Sequence, residues 1–126
     1  MNKLSISIIA SMVLLAVSCS YYPVPIEVRV NLRDDTGFAI EGITCSLIRD
    51  SEELANAVSD SGGNCVLKTL KGDKDKYIYI DDFIAQLKIY AHDTDGLSNG
   101  GDFKDAEYQC KGIDDISDII FVLKRK

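Results

Sequence analysis

Ile26-Glu27-Val28-Arg29-Val30-Asn31-Leu32-Arg33 alternates apolar and polar residues without a break. Successive side chains of a strand point to opposite faces, so this stretch has one buried face and one wet face. A helix cannot use that pattern. Asp34-Asp35-Thr36-Gly37 then has the composition of a turn. Glu41-Gly42 leads into Ile43-Thr44-Cys45-Ser46-Leu47, with Ile43, Cys45 and Leu47 on the inner face. Ser51 to Ala57 reads as a short helical turn, closed by the glycine-rich turn Val58 to Gly63. Cys65 to Leu70 is expected as a strand with Cys65 and Leu67 inward, and Lys71 to Lys76 as a charged loop. Tyr77 to Ile80 alternates, which would put Tyr77 and Tyr79 on one strand face, an aromatic platform on which a sugar could stack. Leu87 to His92 alternates again, with Leu87, Ile89 and Ala91 inward and His92 outward. Phe103 to Gln109 and Ile116 to Lys124 complete the set. About seven short strands, with turn signals every eight to twelve residues or so and no long amphipathic helix, specify an all-β chain folded as a single antiparallel β-sandwich.

The first residues follow a different logic. Lys3 precedes an apolar run from Ile6 to Val17, shorter than the roughly 20 residues that span a bilayer. It reads as a secretory leader. The end of the run, Leu15-Ala16-Val17-Ser18-Cys19, resembles a bacterial lipobox. That resemblance implies cleavage after Ser18, lipidation of Cys19 on sulfur with palmitate-like chains, and acylation of the new amine. Each buried CH₂ contributes about 0.8 kcal/mol and stable attachment takes more than one chain, so such a protein stays on its membrane. The chain then divides into a lipoprotein signal peptide, 1–18, a lipidated Cys19 with its tether to Pro25, and a domain over 26–126. Ser20-Tyr21 places no acidic residue next to Cys19, which in a Gram-negative bacterium points to the periplasmic side of the outer membrane.

Charge and cysteine content exclude several functions. With the leader removed, 13 basic side chains face 20 acidic ones, a net charge of −7. Eight of the acids lie between Asp93 and Asp118, opposed only by Lys104 and Lys111. Nucleic acid, whose binding starts from basic contacts to phosphate, is an unsuitable partner. Cys45, Cys65 and Cys110 remain after Cys19, an odd number, so at least one thiol has no partner within the chain. Cys45 and Cys65 both face inward, and the pattern allows either a disulfide between them or two small core residues. Cys110, next to Lys111-Gly112, is expected to be an exposed thiol.

The stretch VRVNLRDDTGFAIEGITCSLI, followed by AVSDSGGNCVLKT, resembles the transthyretin-like (prealbumin-like), carboxypeptidase-regulatory-type β-sandwich domains of bacterial envelope proteins. Glu41 and Cys65 depart from that pattern, at positions where Pro or Ala and an aromatic are usual. The loop DTDGLSNGGDF is similar to the D-x-D-G-x-x-N-G-G-x-F loop of small radical-SAM-associated lipoproteins, with Asp93, Asp95, Gly96, Asn99, Gly100, Gly101 and Phe103 matching. The resemblance implies an envelope location, a sandwich fold and a neighbouring radical-SAM enzyme as partner. It implies no activity.

That loop is also the strongest candidate site. Calcium takes oxygen ligands from carboxylates and carbonyls, and Asp93, Asp95, Asn99 and Asp102 could supply them. An EF-hand is excluded, because Ser98 and Lys104 stand where Gly and Glu are needed. The competing explanation is a turn whose glycines supply positive φ and whose Asp and Asn side chains bond the local backbone. His92 beside Asp93 does not make a catalytic pair, since strand neighbours face opposite ways. The expectation is therefore a non-enzymatic, lipid-anchored binding or structural module. Two alternatives stand beside it: a substrate for the radical-SAM enzyme, with Cys110 or the 91–105 loop as target, and a calcium-binding module.

Overall fold

The computed structural model describes residues 22–94 and 102–126. Seven strands are described: β1 (Val24–Arg33), β2 (Ile43–Arg49), β3 (Glu52–Val58), β4 (Asn64–Lys71), β5 (Leu87–Asp93), β6 (Ala106–Gln109) and β7 (Ile119–Val122). A 3₁₀ turn (Asp73–Asp75) and a single-turn helix, α1 (Ile80–Ile84), lie between β4 and β5. The strands form two sheets, β4-β1-β7 and β3-β2-β5-β6, and these do not close into a barrel. No helix among the described residues is long and apolar enough to cross a membrane.

The period-2 pattern sets the inner faces. Ile26, Val28, Val30 and Leu32 of β1 are buried together with Cys65 and Leu67 of β4. From the other sheet come Ile43, Cys45 and Leu47 of β2 and Leu87, Ile89 and Ala91 of β5. All belong to one apolar cluster, to which Phe83, Ile84 and Phe103 add bulk from outside the strands. Each fully buried aliphatic or aromatic side chain contributes about 1.5–3 kcal/mol relative to exposure, so the shared interior is the main stabilising element.

Four expectations need correction. First, the fold is not purely antiparallel: β7 runs parallel to β1, from Val30↔Ile119 to Arg33↔Val122. Second, residues 52–58 are strand β3, not a helical turn. Asp50 and Ser51 both have positive φ, 51° and 71°. That is the requirement of a two-residue hairpin turn whose twist matches the strands. Pairing with β2 then overrides the helix preference of Glu52-Glu53-Leu54-Ala55. Third, Tyr77 to Ile80 is no strand. It is the approach to α1, and Tyr77 and Tyr79 are exposed without sharing a strand face. Fourth, the domain begins before residue 26, since Val24 and Pro25 already pair with Lys71 and Leu70. Pro25 is tolerated because β7 reaches only as far as Val30. Arg29 N–H points away from β4, to Ile116 O at 2.8 Å, and Pro25 has the same parity, so its missing donor falls on an unpaired edge.

Strand register gives the molecule two unlike ends. At one, Val24 of β1 meets Lys71 of β4, and Arg49 of β2 meets Leu87 of β5. Arg49 organises this end. It grips Asp75 through two hydrogen bonds of 2.9 Å, donates to Gln86 Oε1 at 2.8 Å, and stacks its guanidinium 4.6 Å from the centre of the Phe83 ring. At the other end lie the turns after β1 and β3 and both flanks of the β5–β6 connection. The start of β1 lies at the first end and the aspartate-rich turns at the second.

Gly63 shows how tightly the second end is built. Its φ is +79°, and a Cβ there would lie 2.5 Å from Leu32 O. Gly63→Ala should therefore lose about 2 kcal/mol or more, beyond ordinary left-handed strain. Gly72→Ala, at φ −89° in open space, should be close to neutral. Urea unfolding of the two variants checks this. Equal midpoints would contradict the packing described.

Candidate functional site

The sequence directs attention to the connection between β5 and β6, and the structure fixes its two flanks. Asp93 is the last residue of β5, and its Oδ2 accepts the Phe103 N–H at 3.0 Å. Phe103 itself is buried, and it forms an isolated bridge with Arg125, whose guanidinium lies 4.6 Å over the Phe103 ring. Asp93 thus staples the neck of the loop. Asp102 is exposed, and its backbone oxygen accepts the Lys126 N–H at 3.2 Å. Asp95 and Asn99, the other two members of the expected calcium set, lie outside the described residues. So does Cys19. Among the described residues, no group of three or more His, Cys, Asp or Glu side chains is arranged to hold a metal ion.

Aspartate does the same work in the two neighbouring turns. Asp34 Oδ1 accepts from the Thr36 N–H, the Thr36 hydroxyl and the Phe38 N–H, at 2.9, 2.6 and 3.0 Å. Those bonds, led by the Thr36 hydroxyl, hold its carboxyl below the usual carboxylate range against the cost of burial. Asp60 Oδ1 accepts from the N–H groups of Gly62 and Asn64, both at 2.9 Å. These are local turns closed by a side chain. The carboxylates of Asp34, Asp60 and Asp93 are each committed to backbone donors.

Directly behind this neck, on the outer face of the β5–β6 hairpin, lies a three-residue cluster that sequence reading alone does not reveal. Asp105 accepts from the Tyr90 hydroxyl at 2.5 Å through one oxygen and meets His92 Nδ1 at 2.7 Å through the other. The tyrosine bond first, and the histidine contact second, hold the Asp105 carboxyl below its ordinary value. The same bond pushes the Tyr90 hydroxyl up. His92 does point outward, as expected, and Asp93 away from it. Its real partner is 13 residues away across the hairpin. The one signal for this is register: Tyr90 pairs with Glu107 and Ala91 with Ala106, so Asp105 falls opposite His92. The contact through Nδ1 fixes the orientation of the imidazole on the outer face of the hairpin. Nearby, the Thr44 and Thr94 hydroxyls bond each other at 3.2 Å. The cluster can orient an imidazole and fasten the two strands. It holds no activated nucleophile.

Cysteine chemistry departs from expectation at one position. Cys110 is buried, 1% exposed, and its N–H bonds Leu87 O at 3.0 Å. Burial first, then the nearby Asp115 charge, pushes its thiol up to about 12. It is not exposed: the N–H bond to Leu87 O at the end of β6 keeps the residue in the core, whereas Lys111 is exposed. Cys45 and Cys65, on facing sheets, are free thiols in the core. Cys45 donates to the Cys65 sulfur, and this contact together with burial keeps the Cys45 thiol protonated.

No protein family, no curated protein and no solved structure matches this chain.

Two outcomes are expected. Iodoacetamide should leave Cys45, Cys65 and Cys110 unmodified in the native protein and label them once urea is added, as read by peptide mass. Rapid labelling of Cys110 without denaturant would contradict its burial. The Asp105 interactions favour its charged form, so they stabilise the fold above the ordinary carboxylate value of 3.8 and are lost as pH falls through the lower folded value. The stability difference between wild type and Asp105→Asn should be present near neutral pH and close in acid. A difference that stays constant with pH would rule out this linkage.

Proposed function

We propose that the protein is a lipid-anchored, non-enzymatic module of a Gram-negative cell envelope. It is held at Cys19 and presents its loop-bearing end to a partner protein. The observation that carries this reading is the opposition of the two ends. β1 starts at Val24, only five residues after Cys19, and runs away from the tether to Arg33. The turns built on Asp34, Asp60 and Asp93 are therefore at the end remote from the anchor. The exposed Phe38, 72% accessible, and the Tyr90–His92–Asp105 cluster are there too.

The arrangement of two sheets around one core is compatible with a transthyretin-like β-sandwich, and the D-x-x-G and S-D-x-G-G turns support that assignment by resemblance. The glycine-rich loop supports membership of the radical-SAM-associated lipoproteins. If a neighbouring radical-SAM enzyme modifies this chain, the 91–105 loop is the fitting target, since Cys110 is enclosed in the native fold.

Anchoring is tested by fractionating cells that express wild type and Cys19→Ala. The wild type should incorporate labelled palmitate and sediment with membranes, and the variant should be released to the soluble fraction unlabelled. Retention of Cys19→Ala on membranes would overturn the reading.

A further inference from the structure

We propose that the tether end of the domain is a membrane-apposed face on which Tyr22, Tyr77 and Tyr79 rest at the headgroup level of the bilayer. This inference rests on anchoring at Cys19 and adds an orientation to it. Tyr77 is 90% exposed, Tyr79 82% and Tyr22 75%, and Leu70, near the end of β4, is 58% exposed. Large side chains displayed this fully are unusual on a water-facing end. Rings with a polar tip are favoured where one side is apolar and the other wet, which is the membrane interface.

The display is built, not loose. Asp75 precedes the two tyrosines and Phe83 follows them, and Arg49 holds both, one by a paired hydrogen bond and one by stacking. The segment between them is pinned at each side with its rings outward. At the same end, where the start of β1 pairs with the end of β4, runs an open, mainly apolar groove whose lining includes Pro25, Ile26, Lys68 and Leu70.

Charge is consistent with an interfacial position. Lys76 Nζ sits 5.3 Å over the Tyr77 ring and 3.6 Å from Asp73. Lys68 and Lys74 are exposed nearby. Long lysine stems can lie along apolar surface with the ammonium among headgroups. Of the acids at this end, Asp75 is held by Arg49 and Asp81 accepts the Ile113 N–H at 2.8 Å, while Asp50, Glu52, Asp73, Asp81 and Asp82 are exposed. The face is of mixed charge. Its contact with lipid is therefore aromatic rather than electrostatic, and needs no anionic lipid.

Chain length limits the alternatives. From Cys19 to Tyr22 there are three residue steps, at most about 10 Å when extended. The headgroup region of one leaflet is itself about 5–8 Å deep. With its acyl chains in the bilayer, the protein is held with this end within reach of the headgroups, close enough for the exposed rings to rest on them.

The chain contains no Trp, so single reporters can be introduced without background. The test uses the acylated protein reconstituted on phosphatidylcholine vesicles, with Tyr77→Trp, Tyr79→Trp and, at the far end, Phe38→Trp. Flotation with the vesicles reports anchoring separately. Brominated phosphatidylcholine should quench Trp at positions 77 and 79, with a blue shift in emission, and leave Trp at position 38 unchanged. Floating protein with unquenched reporters at 77 and 79 would overturn the inference while leaving the anchor intact, and would make this face a site for a protein or glycan. Equal quenching at all three positions would also overturn it. Failure to float would remove the anchor and this inference together.

Discussion

The structure depends on one apolar interface, formed where the inner face of β1 and β4 meets the inner face of β2 and β5. Ile26, Val28, Val30 and Leu32 leave no freedom of register: a shift by one residue would turn all four to solvent and Glu27, Arg29 and Asn31 inward. With β1 fixed, β4 pairs with Val24 to Asn31 from one side, and β7 pairs with only its last four residues from the other. The uncovered half of that edge is where Pro25 is tolerated and where the chain enters. The N-terminal entry and the position of the turns are thus consequences of the same alternation.

From this follows the division of labour between the ends. At the far end, Asp34, Asp60 and Asp93 each close a turn on nearby backbone, so these three carboxylates are already engaged. At the near end, the chain leaves β4, makes a 3₁₀ turn and a single helical turn, and returns as β5. Nothing in so short an excursion would hold its shape unaided, since an isolated helical turn is unstable. Arg49 supplies the restraint by bonding Asp75 and Gln86 and covering Phe83. The tyrosines lie between those fixed points. Their exposure is a property of the fold, and it gives the end where β1 begins a chemistry different from that of the loop end.

The strands with clean alternation were legible in the sequence, and so were their inner faces: Ile43, Cys45 and Leu47, Cys65 and Leu67, and Leu87, Ile89 and Ala91 are all buried. What was missed depends on partners remote in the chain. β3 carries no alternation of its own and becomes a strand because β2 lies beside it. The parallel partner of β1 comes from residues 119–122, and no local pattern distinguishes parallel from antiparallel pairing. Tyr77 and Tyr79 alternate like a strand but have no strand beside them. The candidate site divides in the same way. The loop and the outward turn of His92 could be read from composition and parity. The bond from Asp105 to His92 needed the hairpin register. Cys110 was misjudged because its neighbours Lys111 and Gly112 suggest a surface turn, whereas the N–H bond to Leu87 O draws it into the core.

The central claim is that this domain is held to a membrane through Cys19 at the end opposite its loops. The most direct measurement is the intact mass of the protein purified from its native host's membranes, followed by fragmentation from the N-terminus. The account predicts a chain that begins at Cys19 and carries acyl groups on that residue's sulfur and amine, with none elsewhere. A chain that begins at another residue, or an unmodified Cys19, would contradict it.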